Sequence, residues 1–541
     1  MKMTANRLCL LVAVWIVLTA NSSFWQMVFK VQGIGSNAWL FWVSLFVALI
    51  GFNLLLLRLM SPGRSVRIVL TALQLLAAAA GWFMDTYGVA IDSDMLRNAL
   101  QTNAAEAGDF LGWPLLWRLL WQAGLPIAVV WRIRLPEVGW LRSARDYVLG
   151  VAAGLALLFA AALPMYSSYA SYFRNQDVAR YLITPANVVV GSTTLLRKSL
   201  RSNVPFEQVG ADARRHSPPS EKPLLVLLVV GETARAANFS LGGYARPTNP
   251  LLQQRDIFYF SNVQSCGTAT AVSVPCMFSD LPRAEFKVAI ADRRDTVLDM
   301  LQRAGLQVAW IDNQSGCKKV CARVPYEAAE PYHPSSCSAG ECLDDTLLHA
   351  LDAKLPRVDR DALLVLHAMG SHGPTYFRRV PPHMVRFQPT CATERIETCT
   401  DEQIVNAYDN SIAYTDYVLA GLIDRLAANA ERVDSVLLYV SDHGASLGEN
   451  GLYLHGQPYM IAPALQKHVP MLLWFSSKTM PRLGLDAICL RAKLGSATSH
   501  DNLSHTLLGL MDVSTSVYRA PLDLLRDCRR AATEGERHVA Q

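Results

Sequence analysis

The sequence predicts a two-part fold: a five-helix transmembrane domain, then an α/β domain with a mainly parallel sheet and helices on both faces. Three observations carry this. Five apolar segments near 8–28, 38–57, 68–86, 114–131 and 147–168 approach the about 20 residues a bilayer span needs. From Leu224 onward, short Val/Leu-rich runs alternate with helical patterns, as in doubly covered parallel sheets. Ten of the 11 cysteines lie between Cys266 and Cys528, which separates a soluble, oxidised half from an apolar one. The boundaries that follow are 1–168 for the transmembrane domain, 169–220 for an interfacial linker with amphipathic helices, and 221–541 for the soluble domain.

The first apolar segment follows Lys2 and Arg7. It has no small-residue cleavage site, and further spans follow, so it reads as an uncleaved helix rather than a signal peptide. Arg58, Arg64 and Arg67 mark one loop as cytoplasmic, and Arg132, Arg134, Arg142 and Arg145 mark another. The loop from Asp85 to Gly112 carries Asp92, Asp94, Glu106 and Asp109 against Arg97 alone. An odd number of spans then leaves everything after residue 168 outside the cytoplasm. In the linker, Tyr166, Tyr169, Tyr172 and Phe173 are placed as interfacial aromatics are, and Asn187 to Leu200 has helical apolar spacing. Ser217-Pro-Pro-Ser220 ends the linker.

The net charge is +5 over 541 residues, and no Arg/Lys run is interleaved with aromatics. Nucleic acid is therefore excluded as a partner. The cysteines fall into close pairs, Cys266/Cys276, Cys317/Cys321, Cys337/Cys342 and Cys391/Cys399, with Cys489/Cys528 left over. None has the regular Cys-x2-Cys units of a zinc ribbon, so the spacing favours disulfides in an oxidising compartment.

Chemistry gathers at predicted strand ends. Leu224 to Val230 reads as a strand buried on both faces, ending in Gly231-Glu232-Thr233. Ser435 to Gly444 is a second such strand, delivering Asp442 and His443. The C-terminal edge of an open α/β sheet is where ligands bind, so the two ends suggest a shared metal site. Further strands are expected at Ile257–Tyr259, Val308–Ile311, Ala362–Leu366 and Val469–Trp474. Thr268 and Thr270 lie near the start of a predicted helix inside the Cys266–Cys276 segment, where N–H groups and the dipole favour an alkoxide and a phosphate. Either hydroxyl would need a metal or base to act as a nucleophile. Lys318 could hold a phosphate. His367 and His372 leave one strand end, and His455 returns twelve residues after His443. Carboxylates, imidazoles and a hydroxyl together suit zinc better than Mg²⁺.

Four motifs carry a resemblance: Gly231-Glu-Thr-Ala-Arg235, Cys266-Gly-Thr-Ala-Thr-Ala-Val-Ser-Val-Pro-Cys276, Ser371-His-Gly-Pro374 and Ser441-Asp-His-Gly444. The chain resembles the phosphoethanolamine transferases of Gram-negative inner membranes, which include the mobile colistin-resistance enzymes. Their catalytic domain is of alkaline phosphatase/sulfatase type. The resemblance implies zinc ligands at Glu232, Thr270, Asp442 and His443, with Thr270 as the nucleophile. It assigns His372 and His455 to the transferred group or a second zinc, and His367 and Lys318 to a supporting, substrate-binding shell. It matches Asn98, Thr102 and Glu106 to the ethanolamine end of the donor, and their four-residue steps would set them on one helical face. The family usually has glutamate after Asp-His-Gly; here Ala445 stands there, which weakens the case for a second zinc.

The implied reaction is transfer of phosphoethanolamine from phosphatidylethanolamine to lipid A through a threonine-bound intermediate, reducing sensitivity to cationic peptides such as polymyxin. The implied setting is the inner membrane, with a periplasmic catalytic domain, membrane lipids as partners, and a monomer. A core-sugar or glucan transferase and a membrane-bound phosphodiesterase or sulfatase are the alternatives. A sulfatase would need Cys/Ser-x-Pro-x-Arg for its formylglycine, and the Thr270 segment lacks it.

Overall fold

The computed structural model describes residues 2–32, 38–102, 107–108, 110–200, 205–216, 222–338, 340–393 and 395–530. The chain forms two compact units, Met1–Leu100 with Ala107–Arg197, and Gln101–Glu106 with Lys198–Gln541.

The first unit is helical: α1 (Ala5–Thr19), α2 (Ser22–Gln32), α3 (Ala38–Met60), α4 (Val66–Tyr87), α5 (Ser93–Gln101), α6 (Trp113–Arg118), α7 (Leu125–Arg132), α8 (Trp140–Ala162) and α9 (Ala186–Leu200) are its main pieces. Among the described residues, three helices are long and apolar enough to cross a membrane, Trp39–Met60, Val66–Tyr87 and Trp140–Met165. A fourth counts if the bent pair Ala5–Thr19 and Ser22–Lys30 is one span. The expected 8–28 segment thus bends by 58°. At the break, the buried Asn21 side chain donates to the carbonyls of Ile16 and Thr184, replacing helix-ladder partners. The expected 114–131 segment is helical throughout, but Leu119–Gly124 between α6 and α7 is π-helical, so neither α-helical piece is long enough alone.

Within this unit α3 and α8 pack closely because glycines line the seam. A Cβ on Gly51 would meet Leu158 N at 2.6 Å, and one on Gly154 would meet Leu55 N at 2.8 Å. Leu8, Val12, Ile16, Leu54, Leu57, Leu70, Leu73 and Val130 form the unit's core, while Leu18, Ile68, Trp140 and Phe159 face outward.

The second unit is built on an eight-stranded sheet. In chain order its strands are β1 (Leu224–Gly231), β2 (Ile257–Gln264), β3 (Gln307–Asp312), β4 (Tyr326–Ala328), β5 (Ala362–His367), β6 (Asp434–Ser441), β7 (His468–Phe475) and β8 (Thr498–Ser499). Their spatial order is β8-β2-β7-β6-β1-β5-β3-β4. Only β7 runs antiparallel to its neighbours, against β2 and β6. The six strands expected from sequence all form; β4 and β8, of three and two residues, were too short to show a period.

Strands β1, β5 and β6 are buried at every position, as apolar runs covered on both faces must be. The register places Gly231 opposite Ser441, Val230 opposite His367 and Asp312 opposite His367. Four neighbouring strands, β6, β1, β5 and β3, therefore end at one level. All five cysteine pairs are disulfides, and the remaining Cys9 is buried and free.

Candidate metal and phosphoryl-transfer centre

The aligned strand ends deliver Glu232 from β1, Asp442 and His443 from β6, and the loop holding His372 from β5. The nucleophile candidate arrives from elsewhere. Helix α10 (Thr270–Met277) begins at Thr270 itself, after Ala269 as N-cap, and the Cys266–Cys276 disulfide closes the segment around it. Thr270 Oγ donates to Glu232 Oε2 at 2.9 Å and lies 3.3 Å from His443 Nε2.

The other acceptors crowd the same point. His443 Nε2 is 3.4 Å from Glu232 Oε1 and 3.3 Å from Asp442 Oδ2. Its Nδ1 lies 3.0 Å from the Gly444 carbonyl, which can only accept, so the proton sits on Nδ1 and the Nε2 lone pair faces the cluster. Asp442 Oδ1 is spent on the N–H groups of Thr233 and His443, but Oδ2 is buried without a hydrogen-bond partner. Glu232, Asp442 and His443 are all 0% exposed.

Two adjacent buried carboxylates repel, and a low-dielectric interior offers them little solvation. Burial and the Glu232 carboxylate together push Asp442 well above the ordinary carboxylate range. Burial also pushes Glu232 up, while the hydrogen bond it accepts from Thr233 draws it down. An orphaned carboxylate oxygen, an unprotonated imidazole nitrogen and a second carboxylate within 4.8 Å of one another fit a divalent cation. With Thr270 Oγ the donors number four, the usual count for zinc.

Glu232, His372 and His455 form a second group whose donor atoms lie within 4.8 Å of one another, and both histidines have a buried Nδ1 without a partner. The His455 ring lies 4.3 Å from the His443 ring, and burial pushes its pKa well down. Ala445 is fully buried and offers this group no carboxylate; its carbonyl instead accepts from Arg235, which also pairs with Glu449 at 2.6 Å.

Support for the ligands comes from packed backbone. Thr233 is held at φ 57, unusual for a β-branched residue. Its carbonyl accepts from Tyr408 OH at 2.8 Å, on the long helix α11 (Asp401–Ala428). Gly370 sits at φ +56, and a Cβ there would meet Glu232 O at 2.5 Å. The buried Asp344 carboxylate ties down the same loop, accepting from the N–H groups of Met369 and Gly370 and from Asn313.

His367 is fully buried behind the ligands. Its Nδ1 bonds Asp312 Oδ1 at 2.8 Å, which also accepts from Trp310 Nε1, while Nε2 has no partner. Burial lowers its pKa, but Asp312 more than compensates and the net shift is upward. Lys318 Nζ is turned to the Ser315 carbonyl and hydroxyl, at 2.9 and 2.7 Å. Thr268 donates to the Gln457 carbonyl at 2.6 Å, a structural contact that distinguishes it from Thr270. Asn98 lies in the last turn of α5, which stops at Gln101, one residue before Thr102; Glu106 lies outside the described residues.

Sequence reasoning missed Gln314, whose Nε2 donates to Glu232 Oε2 at 2.9 Å. Its place just past the end of β3, beside other strand-end residues, was the available signal. Asp344, Tyr408 and His500 were missed as well, since each belongs to a segment without a motif.

The comparisons with known proteins agree in scope. A family model described as Sulfatase matches residues 225–513, and one described as Phosphoethanolamine transferase EptA/EptB matches 49–200. The chain is 43% identical to phosphoethanolamine transferase EptA of Escherichia coli K12 over 85% of each chain. It is 36% identical to phosphatidylethanolamine transferase Mcr-1 of Escherichia coli, over 93% of this chain and 94% of that one. Among solved structures it matches the integral membrane lipooligosaccharide phosphoethanolamine transferase A from Neisseria meningitidis, with a TM-score of 0.95, 36% identity, and coverage of 98% of this chain and 100% of the other.

Proposed function

Because this chain belongs to the EptA-type phosphoethanolamine transferases, we propose that it moves phosphoethanolamine from phosphatidylethanolamine to lipid A, with Thr270 as the carrier. The observation that carries this reading is the Thr270 hydroxyl, set 2.9 Å from a buried carboxylate oxygen and 3.3 Å from an imidazole nitrogen. A hydroxyl serving only as a helix cap has no use for that company.

Glu232, Thr270, Asp442 and His443 would hold zinc, which supplies the positive charge that lowers the hydroxyl's pKa. The hydroxyl proton points at Glu232 Oε2. Thr270 Oγ attacks phosphorus as its proton passes to Glu232, the bond to the diacylglycerol oxygen breaks, and that proton goes on to the departing alcohol with His372 or His455 as its carrier. An oxygen of the acceptor then attacks the same phosphorus, the bond to Thr270 Oγ breaks, and the acceptor's proton passes through the same groups to Oγ. Lys318 and His367 form the supporting, substrate-binding shell, and Asn98, Thr102 and Glu106 receive the ethanolammonium group.

The acceptor reading is supported by the lipooligosaccharide named for the Neisseria meningitidis relative. An added ethanolammonium offsets a phosphate's charge on lipid A and weakens attraction of cationic peptides such as polymyxin. Counting the bent α1–α2 pair, α3, α4, the π-interrupted α6–α7 and α8 as five spans, the proposal has residues 1–168 in the inner membrane. Residues 169–220 link them to a periplasmic catalytic domain, 221–541, in a monomer. Five disulfides fit that oxidising compartment.

Mass spectrometry of lipid A from a Gram-negative host tests this. Expression should add one phosphoethanolamine mass. Unchanged lipid A beside an active protein would overturn the acceptor and point to core sugar or glucan.

A further inference from the structure

Thr270 and His443 come from chain segments far apart in sequence, and a single imidazole spans the segments behind them. His500 lies between β8 and the helix α12 (Asp501–Leu510) and is 1% exposed. Its backbone N–H donates to the Gln264 carbonyl at the end of β2. Its Nδ1 accepts the N–H of Cys266 at 3.0 Å, and its Nε2 donates to the Ser441 carbonyl at 2.9 Å. Both ring nitrogens are occupied, one as acceptor and one as donor, which selects one neutral tautomer.

Each partner is the rear anchor of a reacting group. Cys266 stands four residues before Thr270 and is cross-linked to Cys276 at the far end of α10. Ser441 stands one residue before Asp442. Its hydroxyl donates to the His443 carbonyl and accepts the N–H of Ala234, two residues after Glu232. Removing the imidazole would leave the buried Cys266 N–H unpaired and would separate the two anchors.

We propose that His500 is a positioning residue for the transfer reaction, fixing the distance between the nucleophile segment and the strand end that carries Asp442 and His443. It acts through Cys266 and Ser441 and touches no substrate. The proposal rests on Thr270 being the nucleophile. A small displacement of one reacting group costs turnover rather than substrate affinity, and a 1 Å error is worth about 10²-fold.

The test uses the full-length protein in detergent, fluorescent phosphatidylethanolamine as substrate, and release of fluorescent diacylglycerol as readout. Zinc content and Tm are measured on the same samples. His500→Ala should lower kcat by about 10²-fold while KM stays within about twofold and zinc content is unchanged. His500→Asn keeps an acceptor for Cys266 and His500→Gln keeps a donor for Ser441, so each should recover part of the loss. Unchanged kcat in His500→Ala, or equal losses in all three variants in step with Tm, would overturn the proposal alone. A wild-type protein that releases no diacylglycerol would overturn the transferase reading and this proposal with it.

Discussion

Thr270 Oγ stands 3.3 Å from His443 Nε2, although 173 residues of chain separate the two. The contact places a hydroxyl where two buried carboxylates and an imidazole already converge. Thr270→Ala removes that oxygen but leaves Glu232 with donors from Thr233 and Gln314. The variant should fold with a near-native Tm and lose transfer by about 10³-fold or more. Thr270→Ser, which keeps the oxygen, should retain measurable activity. Turnover of fluorescent phosphatidylethanolamine reads both.

Asp442 tests the metal. Asparagine there keeps the Oδ1 acceptor for Thr233 and His443 but neutralises the orphaned Oδ2 position. Zinc measured by mass spectrometry on dialysed Asp442→Asn should fall well below one ion per chain. In the wild type, chelation should lower Tm, because an ion present at 100 times its Kd contributes about 2.7 kcal/mol. The variant's Tm should be insensitive to chelator. Full zinc in Asp442→Asn would remove this residue from the ligand set.

Gly370 joins the His372 loop to the Glu232 backbone. Alanine there faces both a left-handed φ and the Glu232 carbonyl at 2.5 Å, so Gly370→Ala should cost about 2 kcal/mol or more and lower zinc content. Gly305→Ala is the control. It shares a positive φ of +90 but has open space around it, so it should cost about 1 kcal/mol and leave zinc alone.

His505 predicts an acid limb of stability. Burial and, less, Arg519 lower its pKa from 6.5 to about 4, and its Nδ1 accepts the N–H of Arg519. In the unfolded chain it protonates near 6.5. Stability is therefore fully present above pH 6.5 and declines as pH falls toward 4, by about 3 kcal/mol in all. Thermal melts of wild type and His505→Gln between pH 7 and 4 should converge on acidification. Parallel curves would show that His505 does not carry this limb.

The strands and most of the site residues were legible in sequence because their signals are local. Strand β1 is an unbroken apolar run, and β6 nearly so; each is followed by candidate ligands, so burial and chemistry share one short stretch. Four of the disulfide pairs followed from close spacing, whereas Cys489–Cys528, 39 residues apart, was joined only by the fold. The broken helices were not legible, because the Asn21 bend depends on a hydrogen bond to Thr184, 163 residues away.

What the sequence by itself determined is the inventory: which strands form, which side chains stand at their ends, and which cysteines are near enough to pair. Tertiary structure decided how the two threonines differ in their partners. Thr268 is spent on the Gln457 carbonyl, while Thr270 opens the helix toward Glu232 and His443. It also recruited Gln314, Asp344 and His500, which no motif marks. Hydrophobic periodicity depends on neighbours a few residues away, but a hydrogen-bond partner is set by three-dimensional packing, where sheet order and register bring together residues remote in the chain.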